Sequence, residues 1–339
     1  MDNFRVSNLA ISRTPLRVSF VGGGTDLPDF YTCHEGEVIS STIDKYIYVT
    51  AKRHNPIFEE KYRISYSQTE LCNSLEDIQN GIARECLRLV GIQAPIYIST
   101  ISDLPAKSGL GSSSSFTVGL LNALYALEGK KIGPAQLAEQ ACEIEISILG
   151  NKIGKQDQYA AAFGGINHYK FRRNGRVEID PFYLSENDLR IIFSNLLLAW
   201  TRIQRESNEI LLRQSSLVGK KIKTYNELKN YVQRFGLMLQ NMTDINHVVD
   251  DIGQILENSF LLKRRLEDSI TNAEIEIIHN SIKSLGGSGG KLCGAGGGGF
   301  LLEIINESIQ DRVIYSLPEI EFQRISYEPH GSRIIVLSQ

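Results

Sequence analysis

The alternation of apolar and polar residues predicts strands through the first half of the chain. Residues 16–21 alternate with a period of two, and residues 38–52, 62–66, 96–101 and 166–171 are rich in β-branched and aromatic side chains. Such segments are typical of strands with one buried face. We therefore predict that they form an antiparallel sheet.

Apolar residues that recur every three or four positions predict helices between and after these strands. The pattern holds for residues 78–90, for a segment starting near Ser114, for a helix from Pro134 to Gly150 and for residues 158–163. In the second half, apolar stripes predict helices over 225–242 and 252–261, and strands are predicted at 191–200, 301–305, 322–327 and 334–337. We predict an α+β protein of two domains, residues 1–187 and 188–339, divided at a charged segment.

Composition narrows the classes of function. The 339 residues carry a net charge of −3, with 42% hydrophobic and 22% charged residues. This balance gives no basic surface for nucleic acid, and no apolar run is long enough to cross a membrane. The first ten residues lack the apolar core of a signal peptide, and the five cysteines are scattered without a C-x-x-C pair. We therefore expect a cytoplasmic protein without a zinc site, and we leave a homodimer open.

A glycine- and serine-rich segment, PAKSGLGSSSS at residues 105–115, joins a predicted strand to a predicted helix. Gly109 and Gly111 allow a sharp turn and close backbone approach, and the helix start offers free N–H groups to an anion. The segment lacks the lysine of a P-loop and the third glycine of a dinucleotide fingerprint. It is suited to binding a triphosphate; taken alone it is equally consistent with a helix cap or a linker.

Two other glycine-rich segments favour the ligand-binding interpretation. GGGTD at residues 22–26 ends the first predicted strand, and CGAGGGG at 293–299 precedes a late one. The first could be a hairpin turn, but its Thr25 hydroxyl and Asp26 carboxylate are also suited to sugar hydroxyls. We predict that the three segments face one pocket.

Two carboxylates supply a second cluster. Glu145 lies late in a predicted helix, and Asp157 follows a break marked by Gly150 and Gly154. One carboxylate could bind Mg²⁺ together with phosphate oxygens while the other accepts a proton. Alternatively, Glu145 is a solvated helix charge and Asp157 a helix cap, and Glu143 competes with Glu145 for the metal.

With these motifs in order, the chain resembles the GHMP kinases, the galacto-, homoserine, mevalonate and phosphomevalonate kinases. The matching segments are RTPLRVSFVGGGTD, the 105–113 loop and CGAGGGGF, and the likeness spans about residues 11 to 338. It implies an N-terminal domain like the second domain of ribosomal protein S5 and a ferredoxin-like C-terminal domain. It also implies Mg²⁺ and ATP in a syn conformation.

The resemblance implies roles for individual residues. ATP would be bound by eight consecutive residues: Lys107, Ser108, Gly109, Leu110, Gly111, Ser112, Ser113 and Ser114. Mg²⁺ would be held by Ser113 and Glu145. Asp157 would accept or orient the proton of the attacking hydroxyl, and Arg17 would stabilise charge on the transferred phosphoryl group. The acceptor would be bound by Gly23, Gly24, Thr25, Asp26 and Arg202.

Within the family, GGGTDLPDF, STIDKY and KQDQYAAAFGG resemble bacterial kinases of D-glycero-D-manno-heptose 7-phosphate. These phosphorylate the anomeric hydroxyl of the sugar phosphate. The cations open to the acceptor's own phosphate are Arg13, Lys45, Lys155 and Arg202. An L-fucose kinase, a decarboxylase of the mevalonate diphosphate type and a non-catalytic binding homologue remain alternatives, although Arg17, Ser113, Glu145 and Asp157 are all present.

Overall fold

The computed structural model of the protein describes residues 7–204, 207–242 and 245–338. Within these residues the strands are β1 (Leu9–Val21), β2 (Gly36–Arg53), β3 (Tyr62–Ser65), β4 (Thr69–Cys72), β5 (Ile96–Ser102), β6 (Ile166–Phe171), β7 (Val177–Pro181), β8 (Leu196–Trp200), β9 (Gly289–Leu292), β10 (Phe300–Ile304), β11 (Glu321–Arg324) and β12 (Arg333–Ser338). The α-helices are α1 (Pro28–His34), α2 (Gly81–Val90), α3 (Ser112–Leu127), α4 (Pro134–Cys142), α5 (Gln156–Phe163), α6 (Glu186–Ser194), α7 (Ser207–Leu217), α8 (Ile222–Gln240), α9 (Ile245–Arg264), α10 (Ala273–Ser284) and α11 (Glu307–Ser316).

The first sheet is built on the two longest strands. Its order is β12-β1-β2-β5-β3-β4, with β6 paired to β2 and β7 to β6. The strand β2 is long enough to pair with β6 near its start and with β5 near its end. All pairs are antiparallel except β3 with β5, which run parallel, so the predicted antiparallel sheet is wrong for that pair.

Helix α3 covers one face of this sheet and is buried along most of its length. Close contact with β1 is possible because Gly119 has no side chain: a Cβ there would lie 2.6 Å from the Thr14 hydroxyl oxygen. The Ser12 hydroxyl donates to the Gly119 carbonyl across this contact, at 2.8 Å. The contact fixes the start of α3 relative to the end of β1, where the candidate site lies.

The second sheet is antiparallel, in the order β11-β8-β10-β9. Helix α9 packs on β9 and β10 of this sheet and also contacts β1 of the first sheet. Helix α8 packs on β1 and β2, and its Phe235 stacks on Phe20 of β1 with ring centroids 5.1 Å apart. The result is the α+β architecture expected from the alternation of strand and helix patterns.

The predicted strand over residues 191–200 is wrong in its first half, which belongs to α6. The Ser185 hydroxyl oxygen accepts from the backbone N–H of Asp188 and caps this helix. Acidic residues in the first turn favour the helix as well. The apolar residues Ile192 and Phe193 are buried on one helix face instead of continuing the strand.

The end of the chain returns to the first sheet. Strand β12 pairs antiparallel with β1, so that Arg333 lies opposite Arg13 and Ser338 opposite Leu9. Residues 188–339 therefore supply one strand to the N-terminal sheet as well as the second sheet. Among the described residues, no helix combines the length and apolar character required to span a membrane.

Candidate active site

A cavity of about 750 Å³ lies between the two halves of the chain, and all three glycine-rich segments contribute to its lining. Gly24, Gly109 and Gly294 each line it, one from each segment. The sequence prediction of a shared pocket agrees with this placement.

The serine-rich segment begins α3 two residues earlier than predicted. Gly111 precedes the helix in the left-handed region, with φ of 79°, and Ser112, Ser113 and Ser114 form the first turn facing the cavity. The Ser112 hydroxyl is buried and has no partner among the described residues. Free N–H groups, the helix dipole and an unpartnered hydroxyl together favour a bound anion.

Not all eight residues predicted to bind ATP face the cavity with their side chains. Leu110 is fully buried in the core, and its carbonyl accepts from the Arg17 backbone N–H at 3.0 Å. Ser108 is also buried, and its carbonyl accepts from the N–H of Phe300 at 3.0 Å. Leu110 therefore anchors the loop and does not line the cavity, whereas Ser108 lines it, and the buried Ser108 hydroxyl, like that of Ser112, has no partner among the described residues.

The glycine-rich segments at residues 105–115 and 293–299 contact each other through their backbones. A Cβ on Gly109 would lie 2.6 Å from the Cys293 carbonyl oxygen, and one on Gly294 would lie 2.7 Å from the Gly109 Cα. Both residues have positive φ, 82° and 66°. Only glycine satisfies both the conformation and the close approach.

Arg17 and Asp157 form a bidentate pair beside this loop. Arg17 Nε donates to Asp157 Oδ1 at 2.8 Å and Nη2 donates to Oδ2 at 2.7 Å, while Nη1 donates to the Gly109 carbonyl at 2.7 Å. Asp157 lies in the first turn of α5, and both residues line the cavity. A carboxylate held in this way is well oriented to accept a proton from a hydroxyl group.

Glu145 faces the cavity, whereas the competing Glu143 is exposed. Glu145 lies in a π-helical segment, Glu143–Ile148, that continues α4. Its carboxylate accepts from the Ser113 hydroxyl at 2.7 Å and from the Gln158 amide at 2.8 Å. Burial raises the pKa of Glu145, hydrogen bonds from Ser113, Ser114 and Gln158 oppose this rise, and nearby Asp157 adds to it.

Thr25 and Asp26 of the GGGTD segment have different surroundings: Asp26 lines the cavity, whereas Thr25 does not. Thr25 is fully buried, and its hydroxyl donates to the carbonyls of Gly22 and Glu37. These hydrogen bonds explain a threonine at this position without any contact to a ligand. Asp26 lines the cavity and accepts from the Gly24 N–H at 2.9 Å. Burial, and then the charge of Asp157, raise the pKa of Asp26. The predicted role of Thr25 in acceptor binding is therefore not supported by its position.

The other predicted contacts fall outside this cavity. Gly23 lies beside it without lining it. Arg202 is exposed and pairs with Glu321 at 3.0 Å, so the structure does not bring it to the site. Arg13, Lys45 and Lys155 also do not line the cavity; Lys155 donates instead to the Gly175 carbonyl at 2.8 Å. The structure thus brings none of the four proposed phosphate-binding cations into the cavity.

Sequence reasoning missed two polar cavity residues of the C-terminal half, Lys263 on α9 and Gln214 on α7. Both lie on helices assigned from apolar stripes, which carry no loop motif. Lys263 follows Phe260 by three positions and Leu256 by seven, on the buried face of α9. A lysine at a buried helix position was the available signal. A further polar region of the cavity, with Tyr66 and Asn80, was also missed.

The comparisons with known proteins agree with this arrangement. Residues 77–165 match the model of the GHMP kinases N terminal domain, and residues 238–321 match that of the GHMP kinases C terminal domain. The chain is 30% identical over 322 residues to a D-glycero-alpha-D-manno-heptose 7-phosphate kinase of Campylobacter jejuni, covering 90% of this chain and 92% of that one.

Solved structures agree as well. A structure described as a D-glycero-D-manno-heptose 1-phosphate kinase from Bacteriodes thetaiotaomicron superposes with a TM-score of 0.77 at 23% identity, covering 97% of this chain and 100% of that chain. A putative sugar kinase from Campylobacter jejuni gives a TM-score of 0.74 at 25% identity, over 97% and 99% of the two chains.

A two-domain α+β fold with a helix N-terminus, a carboxylate–guanidinium pair and glycine loops in one cavity defines a small-molecule kinase. The chain belongs to the GHMP kinase family. It is an ATP-dependent phosphotransferase with an alcohol group as acceptor.

Proposed function

We propose that the chain transfers the γ-phosphoryl group of ATP to the anomeric hydroxyl of D-glycero-D-manno-heptose 7-phosphate, giving the 1,7-bisphosphate. The choice of substrate is supported by the 30% identity to the heptose 7-phosphate kinase of Campylobacter jejuni, which extends over 90% of this chain. The product would then serve synthesis of nucleotide-activated heptose.

The donor would lie along residues 105–111, the loop before α3, hereafter the phosphate loop. Its phosphates would be held by the backbone of Gly111 to Ser114 and by the Ser112 hydroxyl, whose lack of a partner supports this assignment. Its base would pack against lining residues outside that loop, of which Ile47 and Phe116 are apolar and Tyr66 and Asn80 are polar. Such a mixture of apolar walls and a few polar groups is typical of nucleotide pockets.

Ser113 and Glu145 fit a Mg²⁺ site. Glu145 is a fully buried carboxylate whose contacts among the described residues are hydroxyl and amide groups, without a cation. Mg²⁺ prefers one or two protein oxygens in addition to substrate phosphates. When bound, it would neutralise charge on the phosphates of ATP.

Asp157 would orient the anomeric hydroxyl and accept its proton as the oxygen bonds to the γ-phosphorus. The bond between that phosphorus and the bridging oxygen breaks, and ADP leaves. Arg17 fixes the Asp157 carboxylate through two hydrogen bonds and places positive charge beside the phosphate loop. Positioning and charge neutralisation are the main requirements of phosphoryl transfer.

The test is ADP release with Mg²⁺-ATP across a panel of acceptors: heptose 7-phosphate, heptose 1-phosphate, mannose 6-phosphate, fucose, galactose and mevalonate. Turnover confined to heptose 7-phosphate, with phosphorus NMR placing the new phosphate on the anomeric oxygen, is the expected result. Turnover on fucose alone would overturn the substrate and favour the fucose kinase alternative. No turnover with any acceptor would favour a binding homologue.

Asp157→Ala tests the mechanism separately. It should bind ATP normally by calorimetry, since Asp157 lies outside the phosphate loop, yet lose about 10²- to 10⁴-fold in kcat. The control is Asp180→Ala, which removes an exposed carboxylate of β7 that pairs with Lys170 of β6. Turnover of the Asp157 variant near the wild-type level would reject the role of Asp157 but leave the kinase assignment intact.

A further inference from the structure

Lys263 is a buried cation of the C-terminal half that reaches the cavity from the last turn of α9. Its exposure is only 7%, and it lines the cavity. Its Nζ donates to the carbonyl of Gly294 at 2.5 Å. Since Gly294 touches Gly109, this bond holds the ammonium group beside the contact between the 293–299 and 105–115 segments.

The ammonium group has hydrogen-bonding capacity to spare. It carries three N–H donors, and among the described residues the Gly294 carbonyl is its one hydrogen-bond partner. No carboxylate of the described chain lies within 4.0 Å of it. A buried ammonium with free donors, aimed into a ligand cavity, is costly unless a ligand completes its shell.

The charges around Lys263 come from both halves of the chain. Asp26, after β1, and Asp157, on α5, stabilise its charged form, whereas Arg17 of β1 opposes it. Cys293 also favours the charged form of Lys263. The buried Lys291 of β9 interacts electrostatically with Lys263 as a like charge. Burial is the strongest influence and lowers the pKa of Lys263 to about 8.

Gln214 supplies a complementary group next to it. This fully buried residue of α7 donates its amide to the Ala295 carbonyl at 3.0 Å, and its Oε1 has no partner among the described residues. That oxygen lies 3.9 Å from where a Gly24 Cβ would be. The C-terminal half therefore offers a donor and an acceptor next to Gly24 and Asp26.

We propose that Lys263 donates to a hydroxyl oxygen of the acceptor sugar and that Gln214 Oε1 accepts from another of its hydroxyls. The inference deepens the proposed function and depends on it. The neighbouring Asp26 carboxylate disfavours a phosphate dianion at this point, whereas sugar hydroxyls match a mixed set of donors and acceptors. The acceptor is thus bound by both halves of the chain.

The test is Lys263→Met, which keeps the chain length and removes the charge. Removing a charged hydrogen bond should raise the KM and the calorimetric Kd of the acceptor by roughly 10- to 100-fold. The KM of ATP should change less than about twofold. Lys263→Gln, which keeps a donor, should recover part of the affinity. The control is Lys283→Met on α10, where the lysine pairs with Glu257 outside the cavity.

The pH profile gives an independent readout. The acceptor KM of the wild type should rise as the pH passes about 8, because the ammonium group then loses its proton, and the rise should be absent in Lys263→Met. Equal losses for ATP and acceptor, or an unchanged acceptor Kd in a folded variant, would overturn the proposal. The measurements use whichever acceptor the wild type phosphorylates, so rejection of heptose 7-phosphate counts only against the proposed function.

Discussion

At the residue scale, the site holds carboxylates whose burial costs stability. Glu145 is fully buried, and burial raises its pKa above the value of 4.5 for a free carboxyl group. When a carboxyl group has a higher pKa in the folded state than in the unfolded state, the free energy of unfolding falls as the pH rises from about 4.5 through the folded-state pKa. Above that range, burial of Glu145 therefore costs the fold stability, a cost that a role in the proposed Mg²⁺ site would explain.

Glu145→Gln should separate these effects. The half-saturating Mg²⁺ concentration should rise about tenfold or more, since the proposed anionic ligand of the metal is lost. The melting temperature at pH 7.5 should stay equal or increase, because the buried charge disappears and the Gln158 amide can turn its unpartnered Oε1 to accept from the new amide. Glu143→Gln, on the exposed side of the same turn, is the control. A lower melting temperature with unchanged Mg²⁺ dependence would contradict the assignment.

At the element scale, the sequence predicted loops better than it predicted the chain between them. The three glycine-rich segments meet because each has a local signature, positive φ and missing side chains, that is written in consecutive residues. The apolar run around Ile192 and Phe193 fits a strand and a helix equally, and the Ser185 cap together with the acidic first turn favours the helix. Lys263 and Gln214 were missed because their place in the cavity depends on where α9 and α7 pack; the lysine in the apolar stripe of α9 indicates an unusual position but not which cavity it reaches.

The backbone contact between the segments at residues 105–115 and 293–299 can be tested directly. Gly109→Ala should lower the free energy of unfolding by roughly 1–3 kcal/mol, because φ of 82° is strained for alanine and the new Cβ would meet the Cys293 carbonyl. The KM of ATP should rise as the loop shifts. Gly219→Ala is the matched control, since its Cβ would meet nothing within 4 Å. Equal stability of the two variants in urea unfolding would argue against this contact.

At the scale of the whole molecule, two features join the halves. Lys291 of β9 is buried and donates its Nζ to the carbonyls of Ser19 and Phe20 at 2.7 and 3.2 Å, just before the GGGTD segment. Strand β12 returns to pair with β1, the strand that carries Arg17. The position of the site therefore depends on both ends of the chain, and the boundary between residues 187 and 188 stays a prediction about the family domains.

Removal of β12 should test how far the N-terminal sheet depends on the end of the chain. Ending the chain at Ser332 keeps the bond between Ser332 and Thr14 but deletes the whole ladder along β1. We expect the melting temperature to fall by about 10 °C or more, because several backbone hydrogen bonds and the cover of β1 are lost together.

The control for this truncation keeps the backbone and changes only side chains. Ile335→Thr with Leu337→Thr alters residues that are 47% and 54% exposed, so the ladder stays intact. The double variant should melt within about 2 °C of the wild type, since exposed substitutions change stability little. If it instead melted as low as the truncated chain, side-chain burial rather than strand pairing would hold the chain end. If the truncated chain kept wild-type stability, the first sheet would be complete without β12.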